Sequence, residues 1–511
     1  MTSLLEIRPT DRGGIILSLP ISRRTCFAAE PMVRRTPNSL RIQPVCDNSR
    51  QMNRRRFHAK VVHISSAVVV FAAAIVLATA QTPLAQQQQP TELRFVITGE
   101  SGAPPHYAVP AFIALTSDKE TADAARLITE VLWNDLAFER EYDMIPRDTY
   151  NTIAQTAATD TIAFDRWREL GADGVVVGTV KRTGNTFQIE MRLFNVRERA
   201  VALGRTYDNV TLRNPRAVAH AISDEIHQTQ SGLRGVARTK LTFISDRDKE
   251  RIVDTIGGRS VKEVYIADYD GANPTRMTVN RRLNVTPSWS PDARTIAYAQ
   301  YILIHPQIIV SNIYQGTRQI LTDEKTSAFS PVFSPDGTRI AFMSQRDGDS
   351  EIYVMNRDGS DVRRLTNNNA IDSSPTWSPT GTQIAFASGR SGSAQIWIMD
   401  SDGLNPRRIT LDEKHADGPT WSPAPFNEIA FAAQTGSGFD IKIYDIAKKE
   451  FRLLTDGVGA NESPAFAPGG RHIAFTSTRA GGSQIFTMSR RGEDLRQVTR
   501  GGNNTYPDWS P

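Results

Sequence analysis

The sequence predicts a small α/β domain followed by an all-β six-bladed β-propeller with four-stranded blades, its ring closed by the C-terminal strand. Three observations lead there: a phrase that returns six times at nearly constant spacing, a two-residue alternation of apolar positions inside each copy, and a different texture ahead of the copies, where apolar strands alternate with helical stretches.

The phrase is P-x-W/F-S/A-P, starting at Pro287, Pro331, Pro375, Pro419, Pro464 and Pro507, with separations of 44, 44, 44, 45 and 43 residues. In the unit at Pro331, Val332–Ser334, Arg339–Met343, Ile352–Met355 and Val362–Thr366 read as four strands. Asp336-Gly337 and Asp358-Gly359 mark turns, because glycine tolerates the positive φ that tight hairpins need. Four antiparallel strands in about 44 residues make one propeller blade. A second-strand motif also occurs six times, at Leu241–Ser245, Ile296–Tyr298, Ile340–Phe342, Ile384–Phe386, Ile429–Phe431 and Ile473–Phe475. The two sets are displaced. Leu241–Ser245 has no first strand before it and Pro507–Ser510 has no second strand after it, so together they should complete the sixth blade.

Residues 92–236 are the α/β domain. Leu93–Thr98 and Ala108–Leu115 read as strands and Ala122–Phe138 as an amphipathic helix. Asp165–Leu170 is a short helix, Val175–Val180, Phe187–Val196 and Ala202–Val210 are strands, and Pro215–Thr229 is a helix with proline in its first turn. Gly232–Thr239 links this domain to the ring, which occupies 237–511.

The front of the chain is an address. Its charge of +5 arises there: residues 1–85 carry eleven Arg and one Lys against four acids, leaving 48 bases and 51 acids after residue 85. The body is therefore slightly acidic, and a nucleic-acid partner is not expected. Residues 52–85 read as a signal peptide: Arg54, Arg55, Arg56 and Lys60 precede the apolar run Ala67–Ala78, too short for a spanning helix, and small residues near Ala80 and Ala85 suit cleavage. Residues 1–51 lack periodicity and read as a leader or a start assigned too early. The mature chain should thus be exported, with no membrane span. Both cysteines, Cys26 and Cys46, lie in this front segment, which excludes a disulfide framework, a thiolate metal site and a cysteine nucleophile from the body.

No motif for catalysis is found, neither G-x-S-x-G, nor H-E-x-x-H, nor a phosphate-binding G-x-x-x-x-G-K-S/T, and no metal or other cofactor is called for. The repeated Trp/Phe at 289, 333, 377, 421, 466 and 509 should be core packing. Asp268-x-Asp270-Gly271 and Asp400-x-Asp402-Gly403 should be turn chemistry. Function on a propeller belongs to the loops of one face. Here the fourth-to-first-strand loops share a face, and Phe329, Asn368, Asp372, Ser373, His415, Asp417, Asn461, Glu462, Asn503, Asn504 and Tyr506 form a largely polar ring suited to a protein loop or a small polar ligand.

The order of parts, together with Glu92-Leu-Arg-Phe-Val-Ile-Thr98, Leu170-Gly-Ala-Asp-Gly-Val-Val-Val-Gly178 and Tyr265-Ile-Ala-Asp-Tyr-Asp-Gly271, resembles the TolB family of periplasmic Tol-Pal components. The resemblance implies a non-enzymatic adaptor, monomeric outside its complex, that links inner-membrane TolA to the outer-membrane lipoprotein Pal during envelope constriction and maintenance. It puts Glu92, Leu93, Arg94, Phe95, Val96, Ile97 and Thr98 toward a TolA-like protein, by strand addition, and the ring of loop residues toward a Pal-like lipoprotein. The alternative is an exported propeller hydrolase or carbohydrate-binding protein. A peptidase with such blades is expected to carry a hydrolase domain after the ring, where this sequence has the closing strand.

Overall fold

A computed structural model describes residues 96–99, 102–153, 162–251, 260–302, 304–436 and 438–511. The expected leader and signal peptide and Glu92–Phe95 lie outside the described residues. Those described fall within one compact unit, Arg94–Pro511.

The α/β domain has strands β1 (His106–Ala108), β2 (Ile113–Ala114), β3 (Asp143–Met144), β4 (Gly174–Thr183), β5 (Thr186–Asn195) and β6 (Ala200–Thr211), and helices α1 (Lys119–Glu139), α2 (Phe164–Glu169) and α3 (Pro215–Ser231). The sheet runs β3-β1-β4-β5-β6, with β2 also on β4. β1 lies parallel to β3 and β4, and β4-β5-β6 form an antiparallel meander. α1 begins three residues earlier than its periodicity predicts, because Asp118 accepts from the Thr121 N–H at 2.9 Å and caps it. Asn214 caps α3 in the same way, with Pro215 in the first turn and Gly232 left-handed at the far end. Both helices pack on the sheet through Ile128, Leu132, Leu136, Ile222 and Ile226.

Two strand expectations are corrected. Ala108–Leu115 is two short strands, because Pro110 lacks the N–H a continuous ladder requires. Val96–Thr98 is not a strand: the Ile97 N–H donates to the Gln230 side chain at 2.9 Å and the Ile97 side chain enters the core, so the segment is tied to α3 rather than to a sheet. Gly178 on β4 has a packing reason, since a Cβ there would sit 2.1 Å from the Phe112 ring.

The ring holds six four-stranded antiparallel sheets. Blades 1 to 5 begin at Asn284, Ala328, Asp372, Ala416 and Asn461. Blade 6 joins Asn504–Trp509 to Lys240–Ser245, Glu263–Asp268 and Thr275–Arg276, with Trp509 opposite Leu241. The two orphan strands of the sequence therefore meet. The seam is further tied by Ser510 N–H to Lys240 O at 2.8 Å and Trp509 Nε1 to Thr239 Oγ1 at 2.7 Å. The repeated Trp/Phe residues are buried, as expected of core.

The α/β domain packs on the face made by the first-to-second and third-to-fourth turns. Phe138, at the end of α1, stacks on His472 at 4.2 Å, lies 4.9 Å from Tyr269 and sits under the Arg496 guanidinium. Asp135 accepts from His220 Nδ1 at 2.7 Å and from the Tyr269 hydroxyl at 2.8 Å. Arg471 reaches from the ring to Glu139 at 2.9 Å, and Asp268 takes Arg216 and Lys240. Burial opposes charge on His220, yet its bonds to Asp135 and Asp268 raise its pKa to about 9. Burial raises Glu139 to about 7 despite the Arg471 guanidinium. The opposite face of the ring, with the fourth-to-first-strand loops and the second-to-third-strand hairpins, is free of the α/β domain among the described residues.

Candidate functional site: the channel mouth of the free face

Every first strand carries the same irregularity. Its register shifts by one residue beside the motif proline, for example between Phe329 and Val332 and between Glu462 and Ala465. The residue before each proline is left-handed: Thr286, Ser330, Ser374, Gly418, Ser463 and Tyr506, with φ between 49° and 60°. Only one of the six is glycine, so the bulges hold strained backbone around the whole mouth.

The residues just before these bulges are Val285, Phe329, Ser373, Asp417, Glu462 and Thr505, at equivalent registers in blades 1 to 6. Their order makes the mouth two-sided, apolar on blades 1 and 2 and acidic on blades 4 and 5. They converge across the channel. Burial raises the Tyr506 phenol to about 12, with further contributions from Glu462, Asp417 and Tyr301, which belong to three other blades. Burial and then Asp417 raise the pKa of Glu462. Tyr301 meets Phe329 edge-on at 6.0 Å, and His415 meets Phe439 likewise at 5.6 Å.

Beneath the loops runs a repeated polar clamp. In each blade an N–H in the first half of the third strand donates to a threonine hydroxyl beyond the fourth strand: Val264 to Thr278, Ile308 to Thr322, Ile352 to Thr366, Ile396 to Thr410, Ile441 to Thr455 and Ile485 to Thr499, at 2.8–3.0 Å. Five of these hydroxyls donate in turn to the side chain of the residue just before that N–H, Glu263, Glu351, Gln395, Asp440 or Gln484. Each clamp satisfies buried polar groups and fixes where its loop leaves the sheet.

The clamp corrects part of the expected ring. Asp372, Asn461 and Asn504 are fully buried. Asp372 holds Asn368 at 2.8 Å and Arg390 at 2.7 Å, Asn461 donates to Asp440, and Asn504 donates to Gln484. Asn368 is spent on Glu351, its N–H lying 2.6 Å from the carboxylate. Asn503 is exposed but paired with Asp246. Within the chain, these side chains shape the loops. Phe329, Ser373, Asp417, Glu462 and Tyr506 remain at the mouth, on first strands rather than in loops, with His415 beside them. Sequence reasoning passed over Val285, Thr505 and Tyr301. It also missed a rim of exposed apolar side chains, Val279, Ile371, Leu411 and Val458, each in a different fourth-to-first-strand loop. Counting back from each motif proline would have found the first two. No metal-holding cluster of His, Cys, Asp and Glu occurs among the described residues, and no described helix is long and apolar enough to cross a membrane.

Comparison with known proteins agrees with this architecture. Residues 93–201 match the TolB amino-terminal domain and residues 227–511 the TolB beta propeller domain. The Tol-Pal system protein TolB of Desulfosudis oleivorans is 33% identical over 219 residues, covering 42% of this chain and 47% of that protein. The protein of the same name from Legionella pneumophila subsp. pneumophila is 31% identical over 211 residues, 41% and 46% of the two chains. The chain thus spans about half the length of the curated relatives it matches. The crystal structure of TolB from Acinetobacter baumannii superposes with a TM-score of 0.68 at 26% identity, covering 80% of this chain and 98% of that one. With the propeller match covering more than half of its residues and the amino-terminal match standing ahead of it, the chain belongs to the TolB family.

Proposed function

We propose that the mature chain is a non-enzymatic periplasmic adaptor of the Tol-Pal system. Exported by its signal peptide, it docks a Pal-like outer-membrane lipoprotein on the free face of the ring and offers its N-terminal segment, Glu92–Thr98, to a TolA-like inner-membrane protein. The observation that carries this reading is a TolB amino-terminal domain packed on one face of a TolB propeller, with the channel mouth left open on the other. The residues assigned to the Pal-like partner are Phe329, Ser373, His415, Asp417, Glu462 and Tyr506. Among the described residues, Val96–Thr98 meet α3 through the Ile97 N–H, which donates to the Gln230 side chain, and through the buried Ile97 side chain. The test is calorimetric titration of the purified mature chain with the soluble domain of the organism's Pal-like lipoprotein. Micromolar or tighter binding that is lost when Phe329 and Tyr506 are both replaced by Ala is expected. Undiminished binding by that variant rejects the face assignment.

A further inference from the structure

Three of the chain's eight histidines, His220, His227 and His472, are buried where the α/β domain meets the ring. His220 and His227 lie two turns apart on one face of α3, and His472 opens the second strand of blade 5. They are held in two opposite ways. His220 stands between carboxylates: its Nδ1 is 2.7 Å from Asp135 on α1 and its Nε2 3.8 Å from Asp268 on the ring, with Tyr269 and Arg216 alongside. That setting holds an imidazolium.

His227 and His472 stand against arginines instead. Arg471 of the ring donates to Glu139, to the Arg234 carbonyl of the linker and to His227 Nε2, the last at 2.9 Å. A guanidinium only donates, so His227 Nε2 accepts and the ring's one proton sits on Nδ1. Nδ1 is buried with no partner among the described residues. Glu139 lies 3.7 Å from His227 Nε2 but is engaged by Arg471, and Tyr142 meets the imidazole edge-on. His472 Nε2 donates to the Phe138 carbonyl at 3.0 Å while Arg471 and Arg496 stand near its ring, and its Nδ1 is likewise buried and unpartnered among the described residues. A second proton on His227 would point at the Arg471 guanidinium, and one on His472 would find no acceptor.

We propose that the contact between the α/β domain and the ring is an acid-sensitive latch, closed while His227 and His472 are neutral and opened when both rings take up protons that the closed contact does not accommodate. It does not depend on the partner assigned to the free face. Burial, with Arg471 next, pushes both imidazoles down to about 3. A base held low stabilises the closed contact fully above its free value of about 6.5, and that contribution is lost as pH falls below it. Glu139 works the other way: burial raises it to about 7, so opening releases its proton between that value and its free one of about 4.3. Two protons taken up outweigh one released, and acid opens the latch. His220 is charged in both forms below its free value and adds nothing to this arm. Toward lower pH, Asp268, which burial would raise but His220 and Lys240 hold down, favours opening, and Asp135, raised by burial, opposes it.

Residues 86–511 contain no cysteine, so Glu130→Cys on α1 and Gln315→Cys on blade 1, both at exposed positions, place a fluorophore pair on the two bodies of the mature chain. Energy transfer is expected to be high at about pH 7 and to fall toward about pH 4, the open fraction rising about tenfold or more, while the far-UV circular dichroism of the sheets holds. The His227→Gln/His472→Gln variant carries amides that can accept from Arg471 and donate to Phe138 but do not titrate. It is expected to keep its neutral-pH transfer down to about pH 4.5. Unchanged transfer in the unsubstituted histidine background, or a variant that opens at the same pH, overturns the proposal. Where the variant does not fold, the ring-carbon chemical shifts of His227 and His472 in the unsubstituted chain decide. Rings that stay neutral until transfer falls, and titrate with it, support the latch. Either ring titrating at about pH 6.5 while transfer stays high overturns it.

Discussion

The two faces of the ring are built from the same repeat and spend their charged residues in opposite ways. On the face under the α/β domain, Asp135, Glu139 and Asp268 are buried, Arg471 is half-buried, and each has a partner. On the free face, the buried acids Glu263, Glu351 and Asp440 are spent below the surface on the clamps, while among the described residues no ion pair involves Asp417 or Glu462. Rigidity and availability are thus separate properties of one face. Its loops are pinned from beneath, and that support lets the mouth keep strained backbone.

Both faces depend on closure of the ring, and the largest effect should come from opening it. Deleting residues 505–511 removes the first strand of blade 6, including Trp509, and exposes the edge of Lys240–Ser245. We expect the melting temperature to fall by more than about 10 °C, with loss of a cooperative transition. A truncated chain that melts like the full one would show that the faces do not share a common frame.

The next effect concerns the domain face alone. Phe138→Ala empties a buried aromatic site and should cost about 3–5 kcal/mol. Arg471→Ala leaves Glu139 buried without its cation, a loss of about the same size. Calorimetry should then resolve the α/β domain from the ring, with the ring transition unmoved. Alkaline pH should weaken the same contact. His220, raised to about 9, contributes stability that is present below its unfolded value near 6.5 and lost as pH rises through 9.

These contacts also show what could be read in advance. The 44-residue period and the displaced strand counts were enough for six blades and for the closing partner, because both are properties of spacing. Pro110 was enough to divide Ala108–Leu115, but periodicity smoothed over it. The polar ring was only half legible. Asn368 and Asp372 have the composition of a surface loop, and only the position of Glu351, 17 residues upstream of Asn368 in another strand, turns them into a buried clamp.

A smaller effect should appear on the free face when its clamp is cut. Glu351→Ala strips the carboxylate from Thr366, Arg364 and the Asn368 N–H, at a cost of about 1–3 kcal/mol. Hydrogen exchange should speed up across 366–374 and stay unchanged at α1 and α3. Faster exchange in those helices would mean that the two faces are coupled through the ring.

The smallest effect should have the opposite sign, and it sets the two faces apart most sharply. On the domain face, Asp268 is held below the ordinary carboxylate range: burial works against its charge, but His220 and Lys240 overcome this. Its contribution is present above the unfolded carboxylate pKa and lost as pH falls through the lower folded value, so Asp268→Asn should destabilise the protein at neutral pH. Glu462 is displaced the other way, upward, by its surroundings and by Asp417. A raised carboxylate contributes stability below its unfolded value, near pH 4.3, and loses it as pH rises through the higher folded one. Glu462→Gln should therefore leave stability unchanged at pH 4 and raise it slightly at pH 8, by less than about 1 kcal/mol because channel water screens the pair. Thermal melts of the two variants across this range should show opposite signs at pH 8. A carboxylate whose removal stabilises the fold is not kept there by the stability of the fold, so the opposite signs would separate the paired acids of the domain face from the acids of the mouth.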